Sequence, residues 1–86
     1  MSQEQYILEE DPAHAWLHVR RTEIQRLGIA KEITSYSYQR GETVFLEEDR
    51  DLATFMRAKE AVGEAVAYKR RYVENSPIRA YDGYLP

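Results

Sequence analysis

The sequence has no cysteine and few residues that interrupt secondary structure, with four glycines and three prolines among 86 residues. Without sulfur the chain cannot form a disulfide framework or a cysteine-ligated zinc site. No apolar run approaches the ~20 residues that a membrane-spanning helix needs. The start of the chain, Met1–Gln5, lacks the basic and apolar pattern of a secretory signal. We therefore expect a cytoplasmic protein with no membrane association.

The length and composition favour one small folded domain. A chain of 86 residues is too short for a cleft between two domains, and its 43% hydrophobic content is too high for a disordered chain. Its 12 basic and 15 acidic residues give a net charge of −3. Since they form no long block of one sign, we expect no polybasic arm or acidic tail.

The first half of the chain predicts a β-hairpin followed by a short helix. Tyr6–Leu8 and Ala15–Arg20 read as strands around an Asp-Pro turn at Asp11–His14. Alternation along the second strand directs Leu17 and Val19 to one face, and Trp16, His18 and Arg20 to the other. A capping-box pattern at Thr22 and Gln25 then predicts a helix that ends at Gly28.

The second half predicts another hairpin, a longer helix and a last strand. The hairpin joins strands over 32–39 and 43–47 through Arg40-Gly41-Glu42. The helix is capped by Asp49 or Asp51, carries Leu52, Phe55, Met56 and Val62 at helical spacing, and stops at Gly63. The final strand spans 65–73 and ends at the turn residues Asn75-Ser76-Pro77.

These elements predict an α+β fold. We expect a mainly antiparallel sheet of four to five strands with both helices on one face, since one sheet can cover both apolar helix stripes. From Ala15 onward the order βαββαβ is that of ferredoxin-like folds. Residues 1–76 form the domain in this prediction, and 77–86 form an aperiodic C-terminal tail that either covers the body or awaits a partner.

Acidic residues and histidines form one candidate site for metal binding or catalysis. Glu47, Glu48, Asp49 and Asp51 could supply oxygen ligands to a divalent cation, and with His18 they would make a small metal-dependent enzyme. The spacing is not that of an EF-hand loop, and acids here also favour a helix N-terminus. His14 and His18 lie too far apart on a turn and a strand to share a metal, so we predict no metal site, cofactor or catalytic residue.

The last strand carries Lys69-Arg70-Arg71 between Tyr68 and Tyr72. Bases interleaved with aromatic rings can grip a phosphate backbone and stack nucleobases, so nucleic-acid binding through Lys69, Arg70 and Arg71 is an alternative function. The acidic pI of about 5.4 argues against it, and bases on an edge strand also prevent sheets from aggregating.

Tyrosine is the most over-represented residue type, with seven in the chain. Tyrosine is common in binding hot spots because it offers a large contact at small entropic cost, although tyrosines also stabilise sheets as cross-strand ladders. We predict a partner-binding surface made of two tyrosine pairs and the tail: Tyr36, Tyr38, Tyr68, Tyr72, Arg79, Tyr81 and Tyr84.

Several short runs resemble a family of small bacteriophage and mobile-element proteins. They are Trp16-Leu17-x-Val19, Leu27-Gly28-Ile29, Ile33–Tyr38, Phe45–Asp51 and Ser76–Arg79, and the similarity spans roughly residues 15–80. The resemblance carries no known activity, so it implies a genomic setting and not a reaction. By analogy alone, small phage proteins often bind and disable a host protein.

The function predicted from the sequence is therefore a non-enzymatic protein-interaction module, phage-encoded, that binds a host protein in the host cytoplasm. Nucleic-acid binding and a small metal-dependent enzyme are the alternatives. The exposed sheet edges and small core leave a monomer and a homodimer equally open.

Overall fold

Six strands and two helices follow one another along residues 5–86, the part of the chain that the computed structural model describes. Residues 1–4, part of the segment in which we expect no secretory signal, lie outside it. The strands are β1 (Gln5–Glu10), β2 (Ala15–Arg20), β3 (Tyr38–Arg40), β4 (Thr43–Glu47), β5 (Ala67–Tyr72) and β6 (Asp82–Gly83). The helices are α1 (Arg21–Arg26) and α2 (Asp51–Ala61), and a 3₁₀-helix spans Pro77–Ala80.

The strands form one open sheet in the order β5-β1-β2-β4-β3-β6. β1 and β5 are parallel and every other neighbouring pair is antiparallel. The α+β class and the mainly antiparallel sheet are confirmed, but the described residues hold six strands and not four to five. The ferredoxin-like order is not confirmed, because β1 lies between β2 and β5 where that order would pair them directly.

The main core lies between the sheet and both helices. Ile24 of α1 and Phe55 of α2 are fully buried in it, and the ring of Phe55 meets that of Tyr6 edge-on at 5.5 Å. The strands contribute alternate residues, as a half-buried sheet should: Tyr6, Leu8, Leu17, Val19, Val44 and Leu46. The predicted shared face of Leu17 and Val19 is confirmed.

The opposite face of the sheet is also partly covered. Trp16 and Phe45 point to this side and are buried against Ile78 of the 3₁₀-helix. Tyr38 and Tyr81 pack around them, half-buried. This face is therefore occupied by the chain's own C-terminal residues over β2, β4 and β3.

The predicted strand over 32–39 is wrong for most of its length. Only Tyr38–Arg40 pairs in the sheet, and the residues before it form turns. The reason is a set of polar contacts that alternation cannot show: Thr34 N and Oγ1 and Ser37 Oγ all donate to the carboxylate of Asp51. These bonds replace strand pairing for this segment, so Tyr36 and Tyr38 do not share a strand face.

Both predicted helix caps differ from those observed. α1 begins after Arg20 with no side-chain cap, and Thr22 lies within the helix. At α2, Glu47 provides the capping oxygens, since its carboxylate accepts from the N–H groups of Asp49, Arg50 and Asp51 at 2.7–2.8 Å. The acids near this helix do favour its N-terminus, but Glu47 does so through hydrogen bonds and neither Asp49 nor Asp51 is the cap.

The predicted turn glycines occupy the conformations that the turns require. Gly41 has φ of 59° at the first position of the two-residue β3–β4 turn, which is where a type II′ turn demands glycine. Gly63 follows α2 with φ of 71°.

Within residues 5–86, no helix is both long enough and apolar enough to cross a bilayer.

Residues 77–86 are packed along the sheet. After the 3₁₀-helix, β6 pairs with β3 at the sheet edge. The chain then inserts Tyr84 into the main core, where it is 2% exposed and its hydroxyl donates to Ala30 O at 2.6 Å. Arg21 holds the end of this segment, since its guanidinium donates to Leu85 O at 2.9 Å and lies 5.4 Å from the Tyr84 ring centre.

Candidate functional site

β5 is exposed over its whole length, since all six of its residues are accessible to solvent. One side pairs with β1 over its whole length. In the described part of the chain no strand pairs with its other side. An edge of this length with unpaired backbone groups is a template for another chain, which proteins commonly blunt with charge.

The side chains of β5 divide between the two faces of the sheet. Its register pairs Tyr6 with Tyr68 and Glu10 with Tyr72, which places Tyr68, Arg70 and Tyr72 on the face that bears the helices. Lys69 and Arg71 point to the opposite face. The predicted basic and aromatic cluster is therefore two surfaces, with both tyrosines on one of them.

Two of the three bases are paired with acids of β1. Arg70 Nη1 lies 2.5 Å from Glu10 Oε2, and Arg71 Nη2 lies 3.0 Å from Glu9 Oε1. Lys69 makes no ion pair among the described residues. Sequence patterns could not predict these pairs, because the partners are 60 and 62 positions apart and only the parallel β1–β5 pairing brings them together.

Glu9 is the buried centre of a polar cluster beneath β5. It accepts from Ser76 Oγ at 2.6 Å, from Arg71, and from His18 Nε2 at 3.2 Å. Burial alone would raise the pKa of this carboxyl, but the hydrogen bonds from Ser76 and Arg71 hold it below its usual value. Burial also lowers the pKa of the His18 imidazole, against the opposing effect of Glu9.

The two histidines have separate structural partners. His14 lies in the β1–β2 turn, where its ring stacks on Trp16 at 5.7 Å and its Nδ1 contacts Arg79 at 2.6 Å. His18 faces Glu9 from β2. Arg79, which was predicted to bind a partner, also forms an ion pair within the chain, since its Nε lies 3.2 Å from Asp11 Oδ2.

The acidic cluster is used internally at two of its four positions. Glu47 caps α2, and Asp51 is fully buried and bonded to Thr34 and Ser37. Glu48 and Asp49 are exposed. Across residues 5–86 no three His, Asp or Glu side chains are grouped so as to hold a metal ion.

The predicted tyrosine surface is divided into three places. Tyr68 and Tyr72 share one face of β5, four positions apart, and are 37% and 59% exposed. Tyr36 is exposed in the loop before β3. The other three tyrosines of this surface pack inside the protein or against the covered face: Tyr38, Tyr81 and Tyr84.

A groove runs beside the start of β5, where α2 ends. It has a volume of about 470 Å³ and is lined by Met56, Glu60, Val66 and neighbouring residues. Sequence reasoning missed it because it depends on how far α2 extends over the sheet. Together with Tyr68 it gives the helix-bearing side of β5 some uncovered apolar surface.

Comparison with known protein families, curated proteins and solved structures found no match to this chain. The resemblance to phage proteins therefore stays a prediction.

Proposed function

We propose that the protein is a non-enzymatic protein-interaction module that binds its partner along β5. The observation that carries this proposal is the exposure of all six β5 residues at an edge of the sheet, with Tyr68 and Tyr72 on the same face, one on each side of Arg70. Exposed tyrosines of this kind are typical anchors of protein interfaces. By the resemblance noted above, the partner is a host protein and the site of action is the host cytoplasm.

Charge pairing makes β5 a poorer surface for nucleic acid. Arg70 and Arg71 each face one acid of β1, so the three bases do not form a broad patch of uncompensated positive charge. Binding to a phosphate backbone depends on a concentrated excess of such charge. A protein partner can use the same side chains together with the tyrosines and the open backbone edge.

Affinity capture with matched variants tests the proposal. We expect the wild-type protein to retain a partner from bacterial lysate in a stoichiometric amount, and the double variant Tyr68→Ser, Tyr72→Ser to lose it. Tyr36→Ser is the control, because Tyr36 is exposed on a loop away from β5. Equal retention by all three proteins, or no retained partner at all, would contradict binding through β5.

Nuclease treatment of the lysate distinguishes the nucleic-acid alternative. If the retained material is DNA or RNA and its binding falls steeply with salt, β5 contacts a phosphate backbone. We expect nuclease treatment to leave capture unchanged.

A further inference from the structure

The direction of the free backbone groups of β5 follows from its pairing with β1. Val73 N–H donates to Glu10 O at 2.7 Å. Because amide direction alternates along a strand, the amides of Lys69 and Arg71 also point toward β1. Those of Tyr68, Arg70 and Tyr72 point to the open edge. Their N–H and C=O groups are therefore placed to pair with an added strand.

A second copy of the chain fits this edge badly. A two-fold axis through Lys69 sets this residue opposite its own copy in the paired strand. An axis through Arg70 sets it opposite its own copy and Lys69 opposite Arg71. Like charges directly opposite in a ladder are destabilising, so pairings centred on this part of β5 bring cations together.

An acidic strand meets the same edge with complementary charge. Lys69 is exposed and makes no ion pair within residues 5–86. Each arginine gives its β1 acid a single short contact, while a guanidinium carries five N–H donors. An added strand could place acids opposite Lys69, Arg70 and Arg71, and apolar residues opposite Tyr68 and Tyr72. The side chains on both faces of β5 would then have partners.

We propose that the segment bound at β5 is an extended, acidic stretch of another protein, which joins the sheet as a further strand outside β5. This inference rests on the proposed function and names the class of partner. Strand addition explains why the edge stays long and open, and the three bases explain how it rejects copies of itself.

A short peptide provides the probe. The peptide is acetyl-Thr-Val-Glu-Glu-Glu-Val-Thr-amide, and its counterpart has three lysines in place of the glutamates. By NMR titration of the ¹⁵N-labelled full chain at ~20 mM salt, we expect the glutamate peptide to shift β5 amides and to bind at least about tenfold more tightly than the lysine peptide. Amide exchange at Tyr68, Arg70 and Tyr72 should slow when it binds.

Backbone methylation separates strand addition from simple charge attraction. Two further glutamate peptides are N-methylated at alternate residues, in the two possible phases, so that their charge is unchanged. We expect one phase to lose binding and the other to keep it, since only one phase removes the N–H groups that face β5. Equal binding by both methylated peptides would overturn the proposal.

Protein variants test whether the peptide binds at β5. Lys69→Glu should weaken binding of the glutamate peptide and strengthen that of the lysine peptide, whereas Lys31→Glu, an exposed loop residue with the same charge change, should alter neither. If the outward amides are already slow to exchange in free protein, and speed up on dilution, a second copy occupies the edge and the proposal is wrong.

The two proposals fail in different ways. If the tyrosine-dependent partner is captured but the glutamate peptide does not bind, the acidic-strand inference falls and the interaction module stands. If the peptide binds at β5 but no partner is captured, the strand inference stands and the proposed function is the one contradicted.

Discussion

Ser37 Oγ donates a hydrogen bond to the buried carboxylate of Asp51 at 2.5 Å, and this pair connects three segments of the chain. The same hydroxyl oxygen accepts from Glu47 N–H at 3.0 Å, and Ser37 O accepts from Tyr84 N–H at 2.8 Å. One serine thus fixes the start of α2, the loop before β3 and the C-terminal segment relative to one another.

Replacing Asp51 should destabilise the fold strongly. Asp51→Ala removes the acceptor for Thr34 N–H and for two hydroxyls in a fully buried position. Donors left without partners there should lower the free energy of unfolding by about 3 kcal/mol, measured by urea denaturation. Asp49→Ala is the control, because Asp49 is exposed, and it should change stability by no more than ~0.5 kcal/mol. Similar losses in the two variants would show that the Asp51 contacts do not stabilise the loop.

This contact also shows where sequence patterns stop being informative. Alternation predicted β2 and β4, and a short β-compatible run before a turn predicted β1. Each of these strands buries every second residue against the main core. The segment before β3 alternates equally well, yet Thr34 and Ser37 bond Asp51, which follows 14 or more positions later. A pattern within one segment cannot show a partner in another.

The sequence likewise predicted only part of the candidate site. The sequence indicated an edge strand with bases between Tyr68 and Tyr72, and β5 is that strand. It could not indicate that Arg70 and Arg71 face Glu10 and Glu9, because a parallel partner strand lies far away in the chain. It likewise grouped Tyr84 with the exposed tyrosines, since an aperiodic segment gives no signal of burial.

Tyr84 should be the residue that anchors the C-terminal segment in the main core. Its ring is buried in the main core and its hydroxyl donates to Ala30 O. We expect Tyr84→Phe to cost about 1 kcal/mol through the lost hydrogen bond and Tyr84→Ala about 4 kcal/mol through the added cavity. Leu85→Ala, at an exposed neighbouring position, should have little effect in the same denaturation experiment. A comparable loss at Leu85 would mean that Tyr84 does not anchor the segment.

Glu64 should give the protein part of its acid sensitivity. Hydrogen bonds from Arg26 and then Lys59 hold the pKa of its carboxyl at about 2, against an ordinary value of 4.5. Because the folded pKa is the lower one, the stabilisation is complete above pH 4.5 and is lost as the pH falls through about 2.

The wild-type protein should therefore exceed Glu64→Gln in stability most clearly above about pH 5, and the difference should narrow toward pH 2. Thermal unfolding across this range measures it. Glu60→Gln removes an exposed acid outside this ion-pair cluster, and its difference from wild type should not narrow in the same way. A gap for Glu64→Gln that is constant with pH would contradict the ion-pair origin.

The bases of β5 should keep copies of the chain apart. Lys69→Thr with Arg70→Thr removes two of the three cations that meet cations of a second copy in two-fold pairings of β5, and it adds residues of high β-propensity. We expect this variant to self-associate at concentrations where the wild type does not, as measured by light scattering. Lys31→Thr with Arg50→Thr changes the net charge equally at exposed positions away from β5, and it should scatter like wild type. If both variants associate alike, the general loss of positive charge causes the self-association, which contradicts a specific role of β5. If neither variant associates, repulsion between cations is not what keeps this edge unpaired.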